Sequence, residues 1–185
     1  MICGVDEAGR GPLAGPVCAA AVILDPNNTI DGLQDSKTLS NKKLIKLHQT
    51  IFRDAIEVRY AFATVEEIDA MNILQASLLA MKRAILMLNH RPSQVIIDGD
   101  HTPRLDGMNL KSIIKGDSLF KEISAASIIA KVQRDKAMIL EDEKFPQYNF
   151  KQHKGYPTKE HIALIKKHGI SQIHRKTFKP VKSLI

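Results

Sequence analysis

Apolar positions along the chain follow two spacings, one typical of strands and one typical of helices. Short apolar or alternating runs rich in β-branched residues predict five strands, over residues 2–6, 17–24, 56–62, 95–97 and 110–114. Apolar residues three or four positions apart predict helices over residues 41–53, 73–88 and 118–142. This order of elements predicts an α/β fold with a mixed five-stranded central sheet flanked by helices.

Side chains that can cap helices mark further boundaries. Ser40 and Thr158 precede predicted helices, the second of which ends near Gly169, and Thr64 with Glu67 forms a capping box for a short helix. The long helix must stop near Pro146, because the residue before a proline avoids helical backbone. We therefore expect a core over residues 1–143 and a small helical C-terminal subdomain over residues 144–185, packed on that core.

Charge is unevenly distributed between these two parts. The chain carries a formal net charge of +7, but residues 144–185 hold ten lysines and arginines against one acid, Glu160. Such asymmetry indicates a surface that binds a polyanion, with nucleic acid as the first candidate. The alternative is a basic surface that only keeps the protein soluble.

Other broad classes find little support in the composition. No apolar run approaches the roughly 18 residues that cross a bilayer, and no basic segment followed by an apolar stretch suggests a signal peptide. Cys3 and Cys18 lie in predicted strands without metal-binding spacing, so we expect buried, reduced thiols. We accordingly expect a cytoplasmic protein that is not associated with membranes.

Four acidic residues fall at ends of predicted strands or just beyond them. Asp6 and Glu7 follow the first strand, Asp98 ends the fourth, and Asp117 lies between the fifth strand and the long helix. Functional sites of open α/β sheets form beyond the carboxyl ends of strands. If the first and fourth strands are neighbours, the acids converge there and need a cation to offset their repulsion.

Oxygen-only ligands favour Mg²⁺ or Mn²⁺, and two such ions can clamp both oxygens of a phosphodiester under attack. Taken singly, each acid can equally be a turn former, and Asp117 can be a cap of the long helix. The seven histidines show no spacing typical of zinc ligands and are expected on the surface or in packing contacts.

A glycine-rich loop directly follows the acidic pair. Gly9 and Gly11 flank Arg10. Glycine lets backbone groups approach a ligand closely, and arginine offers a planar donor fork suited to phosphate. A tight turn is the structural alternative.

The loop belongs to a longer run that resembles the bacterial ribonuclease HII family. Residues 6–17 read Asp-Glu-Ala-Gly-Arg-Gly-Pro-Leu-Ala-Gly-Pro-Val, as the opening signature of that family does. Further matches follow in the family's order, and they are Asp35-Ser36-Lys37, Ile97-Asp98-Gly99, Lys115-Gly116-Asp117, residues 124–131 with Arg134-Asp135, residues 153–158, and His174-Arg175 with Phe178. The resemblance covers about residues 2–182.

This resemblance implies a ribonuclease H-like catalytic core and hydrolysis of the RNA strand in RNA–DNA hybrids. It also implies cutting on the 5′ side of single ribonucleotides in duplex DNA, leaving a 3′-hydroxyl and a 5′-phosphate. Its metal-binding, catalytic acids correspond to Asp6, Glu7, Asp98 and Asp117. The loop that reads the ribose 2′-hydroxyl corresponds to Gly9, Arg10 and Gly11, and the tyrosine that packs on the sugar to Tyr156.

The same fold could serve two other functions, and Lys37 could have another role. A non-catalytic hybrid-binding protein would lack some of the acids, all of which are present, and a junction-resolving DNA nuclease has no need of a loop that reads ribose. Lys37 is either a phosphate contact, as the family match suggests, or a solvated lysine. We expect the protein to act as a monomer, with about two divalent ions at its site.

Overall fold

The computed structural model describes residues 1–33 and 39–184. Lys37, predicted to contact phosphate, therefore lies outside the described residues. The strands are β1 (Ile2–Ala8), β2 (Val17–Ile23), β3 (Glu57–Ala63), β4 (Gln94–Asp98) and β5 (Leu110–Ile113). The α-helices are α1 (Asn41–Asp54), α2 (Val65–Met71), α3 (Ile73–Leu86), α4 (Gly116–Leu119), α5 (Lys121–Lys144), α6 (Phe150–His153) and α7 (Lys159–His168). Pro146–Tyr148 and Val181–Ser183 form short 3₁₀ turns.

The strands form one mixed sheet in the order β3-β2-β1-β4-β5. β1 and β4 run parallel, with Val5 beside Ile97, whereas β2 is antiparallel to both β1 and β3. The predicted α/β class and the five strands are confirmed. The first and fourth strands are neighbours, which is the condition under which Asp6 and Asp98 were expected to converge. Because β1 and β4 end at the same edge, Asp6 and Asp98 follow paired positions there.

Helices cover both faces of the sheet. Side chains of β2 alternate between the two cores, since Ala19 and Ala21 pack with α3 whereas Ala20 and Val22 pack with α1 and α5. Every residue of β2 is fully buried, as expected of a central strand covered on both faces. Gly4 of β1 lets α5 lie against the sheet, because a Cβ at this position would overlap the backbone of Glu122.

The predicted helix starts are confirmed. Ser40 and Thr158 accept hydrogen bonds from the third residue of their helices, and Thr64 forms the full capping box with Glu67. The long helix, predicted over 118–142, is different: Phe120 adopts extended backbone and separates the short α4 from α5. Asp117 therefore lies in the first turn of α4 and does not cap the long helix.

Residues beyond α5 pack on the loop that follows β1. Ala14 contacts the aromatic rings of Tyr148 and Phe150, while Leu13 packs with Ile165 of α7. The boundary predicted at residue 144 coincides with the last residue of α5. The division into two subdomains stays a prediction, and the contacts tie this C-terminal region directly to the glycine-rich loop.

Two further findings concern the sheet and the helices. Cys3 and Cys18 are buried free thiols, as expected, and burial raises the pKa of each to about 12. Across residues 1–33 and 39–184, no helix combines the length and apolar character that crossing a membrane requires.

Candidate active site

Three carboxylates face one cleft at the edge where β1 and β4 end, and we call Asp6, Glu7 and Asp98 the acidic edge. The sequence placed Asp6 and Glu7 after the first strand, but β1 continues to Ala8 and includes both. Strand alternation therefore sends their side chains to different sides of the backbone. Asp98 is the last residue of β4. The cleft has a volume of about 260 Å³.

Burial and mutual repulsion disfavour charge on this edge. Burial raises the pKa of Asp6 well above its ordinary value, and the neighbouring Glu7 and Asp98 raise it further. The pKa of Glu7 is also raised, by burial first, although Arg10 opposes that shift through an ion pair of 3.4 Å. A cation bound between these carboxylates would offset both burial and repulsion.

The donor set suits a hard divalent ion. All three side chains offer oxygen, the ligand preferred by Mg²⁺ and Mn²⁺. Among the described residues, no three His, Cys, Asp or Glu side chains are already arranged to hold a metal ion together. Mg²⁺ usually binds through one or two carboxylates, with water and substrate oxygens completing its shell, so the acidic edge fits such an ion without a preformed cage.

Asp117 lies beside this edge and is absent from the cleft lining. Its neighbour Gly116 donates its backbone N–H to Oδ1 of Asp98 over 2.7 Å. That bond fixes the start of α4 against the end of β4. The structure thus connects the segment of Asp117 to the acidic edge, while its role as a ligand stays a prediction.

The glycine-rich loop lines the same cleft as the acidic edge. Gly9, Arg10, Gly11 and Tyr156 line the cleft together with the three acids. Gly9 has a φ of 101°, a conformation that favours glycine. Among the residues that the structure describes, only the Tyr156 ring would lie near a Cβ at Gly11, at 3.9 Å. The side chain of Arg10 is half exposed, so it can turn toward an anionic ligand.

Tyr156 reaches the cleft from the segment before α7. It is 39% exposed, and the guanidinium of Arg134 lies 5.7 Å from the centre of its ring. Its carbonyl accepts hydrogen bonds from Thr158 N–H and from the ring of His161. The backbone of Tyr156 is therefore held by two hydrogen bonds, while more than a third of the residue is exposed to solvent.

Ser127 and Lys131, both from α5, also line the cleft. Ser127 is buried and hydrogen-bonds to Asp6, whereas Lys131 pairs with Asp135 over 2.7 Å, one helical turn further along α5. The sequence analysis includes Lys131 in the family match over residues 124–131 but assigns it no place in the site. The spacing of apolar residues in α5 could not predict that Lys131 lines the cleft, since its position depends on where the helix crosses β1.

Three histidines form a buried group behind Tyr156, and we call His153, His161 and His174 the histidine cluster. The rings of His153 and His161 stack at 4.3 Å. Nε2 of His161 and Nε2 of His174 share a hydrogen bond of 3.1 Å. Burial lowers the pKa of His161 and of His174 to about 4. These histidines are therefore neutral packing residues at pH 7, in keeping with the prediction from their spacing.

Comparison with known proteins identifies the family. A sequence model of ribonuclease HII matches residues 3–181. Ribonuclease HII of Nitrosospira multiformis is 56% identical over 184 residues, covering 100% of this chain and 92% of the relative. Ribonuclease HII of Nitrosomonas europaea is also 56% identical, over 97% of this chain and 83% of its own.

Solved structures agree with the fold. Ribonuclease H2 from Pyrococcus horikoshii superimposes with a TM-score of 0.82 at 27% identity, covering 99% of this chain and 96% of that chain. A ribonuclease HIII structure, at 15% identity and a TM-score of 0.71, shares the fold. The predicted ribonuclease H-like fold is confirmed. The chain therefore belongs to the ribonuclease HII family and is an endoribonuclease of the ribonuclease H type.

Proposed function

We propose that this endoribonuclease hydrolyses the RNA strand of RNA–DNA hybrids and also cuts on the 5′ side of single ribonucleotides embedded in duplex DNA. The products would carry a 3′-hydroxyl and a 5′-phosphate. The observation that carries the proposal is the convergence of the acidic edge, the loop of Gly9–Gly11 and Tyr156 on one cleft. The acids suit phosphodiester chemistry, and the loop together with Tyr156 suits recognition of a sugar.

Two divalent ions, Mg²⁺ or Mn²⁺, would be held by Asp6, Glu7 and Asp98, with Asp117 joining from α4. The chemistry that such ions supply when bound is activation of the attacking water and neutralisation of charge on the leaving 3′-oxygen. The raised pKa of Asp6 supports this assignment, because it reflects burial of the carboxyl first and repulsion from Glu7 and Asp98 second, and a bound cation would offset both. Ser127 would hold Asp6 in place through its hydrogen bond.

The protein's own groups would position the substrate. Arg10 and Lys131 flank the acids, so their charges can orient the phosphate that is cut. Gly9 and Gly11 would bring backbone groups to the ribose 2′-hydroxyl, the group that distinguishes RNA from DNA at a given position. Tyr156, which is partly exposed, would pack its ring on the neighbouring sugar.

The basic region of residues 144–185 would bind backbone phosphates without reading sequence. Lys166 and Lys167 support this role, since both lie exposed at the end of α7. Lys37 stays a predicted phosphate contact on the family match alone. A monomeric state and a cytoplasmic location likewise stay predictions from the sequence.

One gel tests the proposal. Purified protein is incubated, with and without Mg²⁺, with duplex DNA that carries one ribonucleotide and an end label, beside an all-DNA duplex of the same sequence. We expect one metal-dependent cut immediately 5′ of the ribonucleotide and an intact control. Cleavage of the all-DNA duplex, or no cleavage of the first substrate with continued cleavage of a continuous hybrid, would refute the finer specificity.

A further inference from the structure

Two arginine side chains lie buried beneath the glycine-rich loop, taken here as residues 9–16. Arg134 comes from α5 and Arg175 from the segment after α7, and they are 1% and 0% exposed. In the part of the chain that the structure describes, neither guanidinium belongs to an ion pair. A buried cation without a counter-ion is unfavourable unless hydrogen bonds replace its lost water, so the partners of these two groups are informative.

The partners are carbonyl groups of the loop. Arg175 donates to the carbonyl oxygens of Gly9 at 2.6 Å, Arg10 at 2.9 Å, Gly15 at 3.0 Å and Pro16 at 3.3 Å. Burial and the neighbouring Arg134 lower the pKa of Arg175 to about 9, which leaves it protonated at neutral pH. One side chain thus holds both ends of the loop.

Arg134 supports the same loop from α5. It donates to the carbonyl oxygens of Ala14 at 3.2 Å and Pro16 at 3.1 Å. Its side chain also lies directly against Gly9, where an added Cβ would overlap it. The glycine at position 9 is therefore required both by its positive φ and by the arginine beneath it.

The direction of these carbonyls decides where the loop's N–H groups point. A trans peptide unit is planar, so its carbonyl and its N–H point in opposite directions. The carbonyls of Gly9 and Arg10 point down to Arg175, so the N–H groups of Arg10 and Gly11 point away from it, toward the cleft. Within the described residues, neither N–H has a protein acceptor.

We propose that Arg175, supported by Arg134, is a positioning residue that turns the N–H groups of Arg10 and Gly11 into the cleft and so sets discrimination between ribose and deoxyribose. The inference rests on the proposed function, in which this loop reads the 2′-hydroxyl. Arg175 touches no substrate, because it is fully buried, and acts through the orientation of two peptide units. Two N–H groups fixed in advance bind a sugar oxygen without a further loss of backbone freedom.

The test compares Arg175→Lys with Arg83→Lys. Lysine keeps the positive charge, but one ammonium group cannot serve carbonyls spread from Gly9 to Pro16 as the guanidinium fork does. Arg83 serves as the control, because it also donates to a backbone carbonyl, that of Phe62, in addition to its ion pair with Glu67, and lies on α3 away from the loop. Folding is checked by circular dichroism and thermal unfolding.

Two substrates separate positioning from simple loss of structure. One duplex carries a single ribonucleotide, and the other carries 2′-fluoro at the same position, where the fluorine is a much poorer acceptor of hydrogen bonds from N–H groups than the hydroxyl oxygen. We expect Arg175→Lys to lower kcat on the ribonucleotide about 30-fold and to change KM less than about threefold, because phosphate contacts lie elsewhere. The ratio of kcat/KM between the two substrates should fall toward one, whereas Arg83→Lys keeps it.

An unchanged ratio in Arg175→Lys would overturn the inference, since a smaller fraction of folded enzyme lowers both rates equally. If Arg175→Lys does not fold, Arg134→Lys, which retains every contact of Arg175, is measured in its place and is expected to lower the ratio as well. An unchanged ratio there would count equally against the inference. A wild-type enzyme that ignores embedded ribonucleotides would instead refute the proposed function, so the two failures are distinguishable.

Discussion

On the sheet side of the cleft, the buried carboxyl of Asp6 lies near the half-buried Glu7 and Asp98, whereas on the C-terminal side buried polar groups are matched with partners. Asp6 and Glu7 have raised pKa values from burial and repulsion. Behind the wall formed by Gly9, Arg10, Gly11 and Tyr156, named here the recognition wall for its proposed role, the arginines bind carbonyls, and His161 and His174 share a hydrogen bond. Charge on the acidic edge is unfavourable without a further cation, whereas the polar groups behind the recognition wall find their partners within the protein. Binding of a divalent metal ion should therefore change the acidic edge and leave the recognition wall nearly unchanged.

The histidine cluster illustrates how complete that wall is. Ser171 N–H donates to Nδ1 of His174, so Nε2 of His174 carries the proton and donates to Nε2 of His161. Nδ1 of His161 in turn donates to the carbonyl of Tyr156. This network defines neutral tautomers for both rings. Protonation of either ring would remove an acceptor and loosen the support of Tyr156.

The substitution with the largest expected effect on activity is Asp98→Asn, at the acidic edge. We expect activity to fall at least about 100-fold, or ~2.7 kcal/mol in the barrier, because a ligand charge is lost at the acidic edge. Thermal stability without metal should not fall, since asparagine can still accept from Gly116 and relieves repulsion. Asp106→Asn, at an exposed acid, serves as the control. Retention of more than a tenth of wild-type activity would contradict the assignment of Asp98.

A fall in pH should reduce the protein's stability through the histidine cluster behind the recognition wall. The folded-state pKa of His161 and His174 is about 4, below the ordinary 6.5, so the unfolded chain binds more protons between these values. Their contribution to stability is complete above pH 6.5 and is lost as pH falls toward 4, at up to about 1.4 kcal/mol per pKa unit for each ring. Thermal unfolding at several pH values measures the loss.

His161→Gln tests whether this cluster causes the acid sensitivity. The variant should be less stable than wild type at pH 7, but its unfolding temperature should fall less steeply between pH 6.5 and 4.5. A slope equal to that of wild type would place the acid-sensitive groups elsewhere.

Tyr156→Ala tests the recognition wall alone, because it leaves the carboxylates of the acidic edge in place. We expect a greater loss on a single embedded ribonucleotide than on a continuous hybrid, by a factor equivalent to about 1–3 kcal/mol, the scale of one stacked ring. Tyr156→Phe should lose less, because ring packing is retained. The measurement is kcat/KM for both substrates. Equal losses would indicate that Tyr156 only supports the start of α7.

Asp6→Asn tests the acidic edge through stability without metal. Because the folded-state pKa of Asp6 is raised, the folded protein binds more protons than the unfolded chain, and stability falls as pH rises from about 4 through that raised pKa. The variant lacks this penalty. With EDTA at pH 7 it should unfold at a temperature about 2–4 °C higher for each 1 kcal/mol relieved. A lower unfolding temperature would mean that Asp6 is a structural hydrogen-bond acceptor above all.

The smallest effect concerns the basic region. Replacing Lys166 and Lys167 with alanine should weaken binding to hybrid and to plain duplex DNA alike, with the slope of log K against log salt falling by about one for each lost phosphate contact. Fluorescence anisotropy at several salt concentrations gives this slope. An unchanged slope would place both lysines on a solvated face.

Local patterns in the sequence determined most of the secondary structure. Period-two and period-3.6 spacing identified all five strands and the main helices, and Ser40, Thr64 and Thr158 marked helix starts, because caps depend on neighbours within three residues. The ordered motifs around Asp6, Asp98 and Asp117 pointed to the family, which comparison confirmed. The break of the long helix at Phe120 escaped this approach, since the segment before it is anchored by a distant bond between Gly116 and Asp98.

Only the tertiary structure decided what surrounds the motifs. Arg134 and Arg175 look in the sequence like any solvated cation, yet both are buried under a loop more than a hundred residues earlier in the chain. The three histidines likewise show no common spacing and meet only through packing of α6, α7 and the following segment. The physical reason is that burial of a polar side chain depends on partners brought by the whole fold, whereas strands, helices and caps depend on residues nearby.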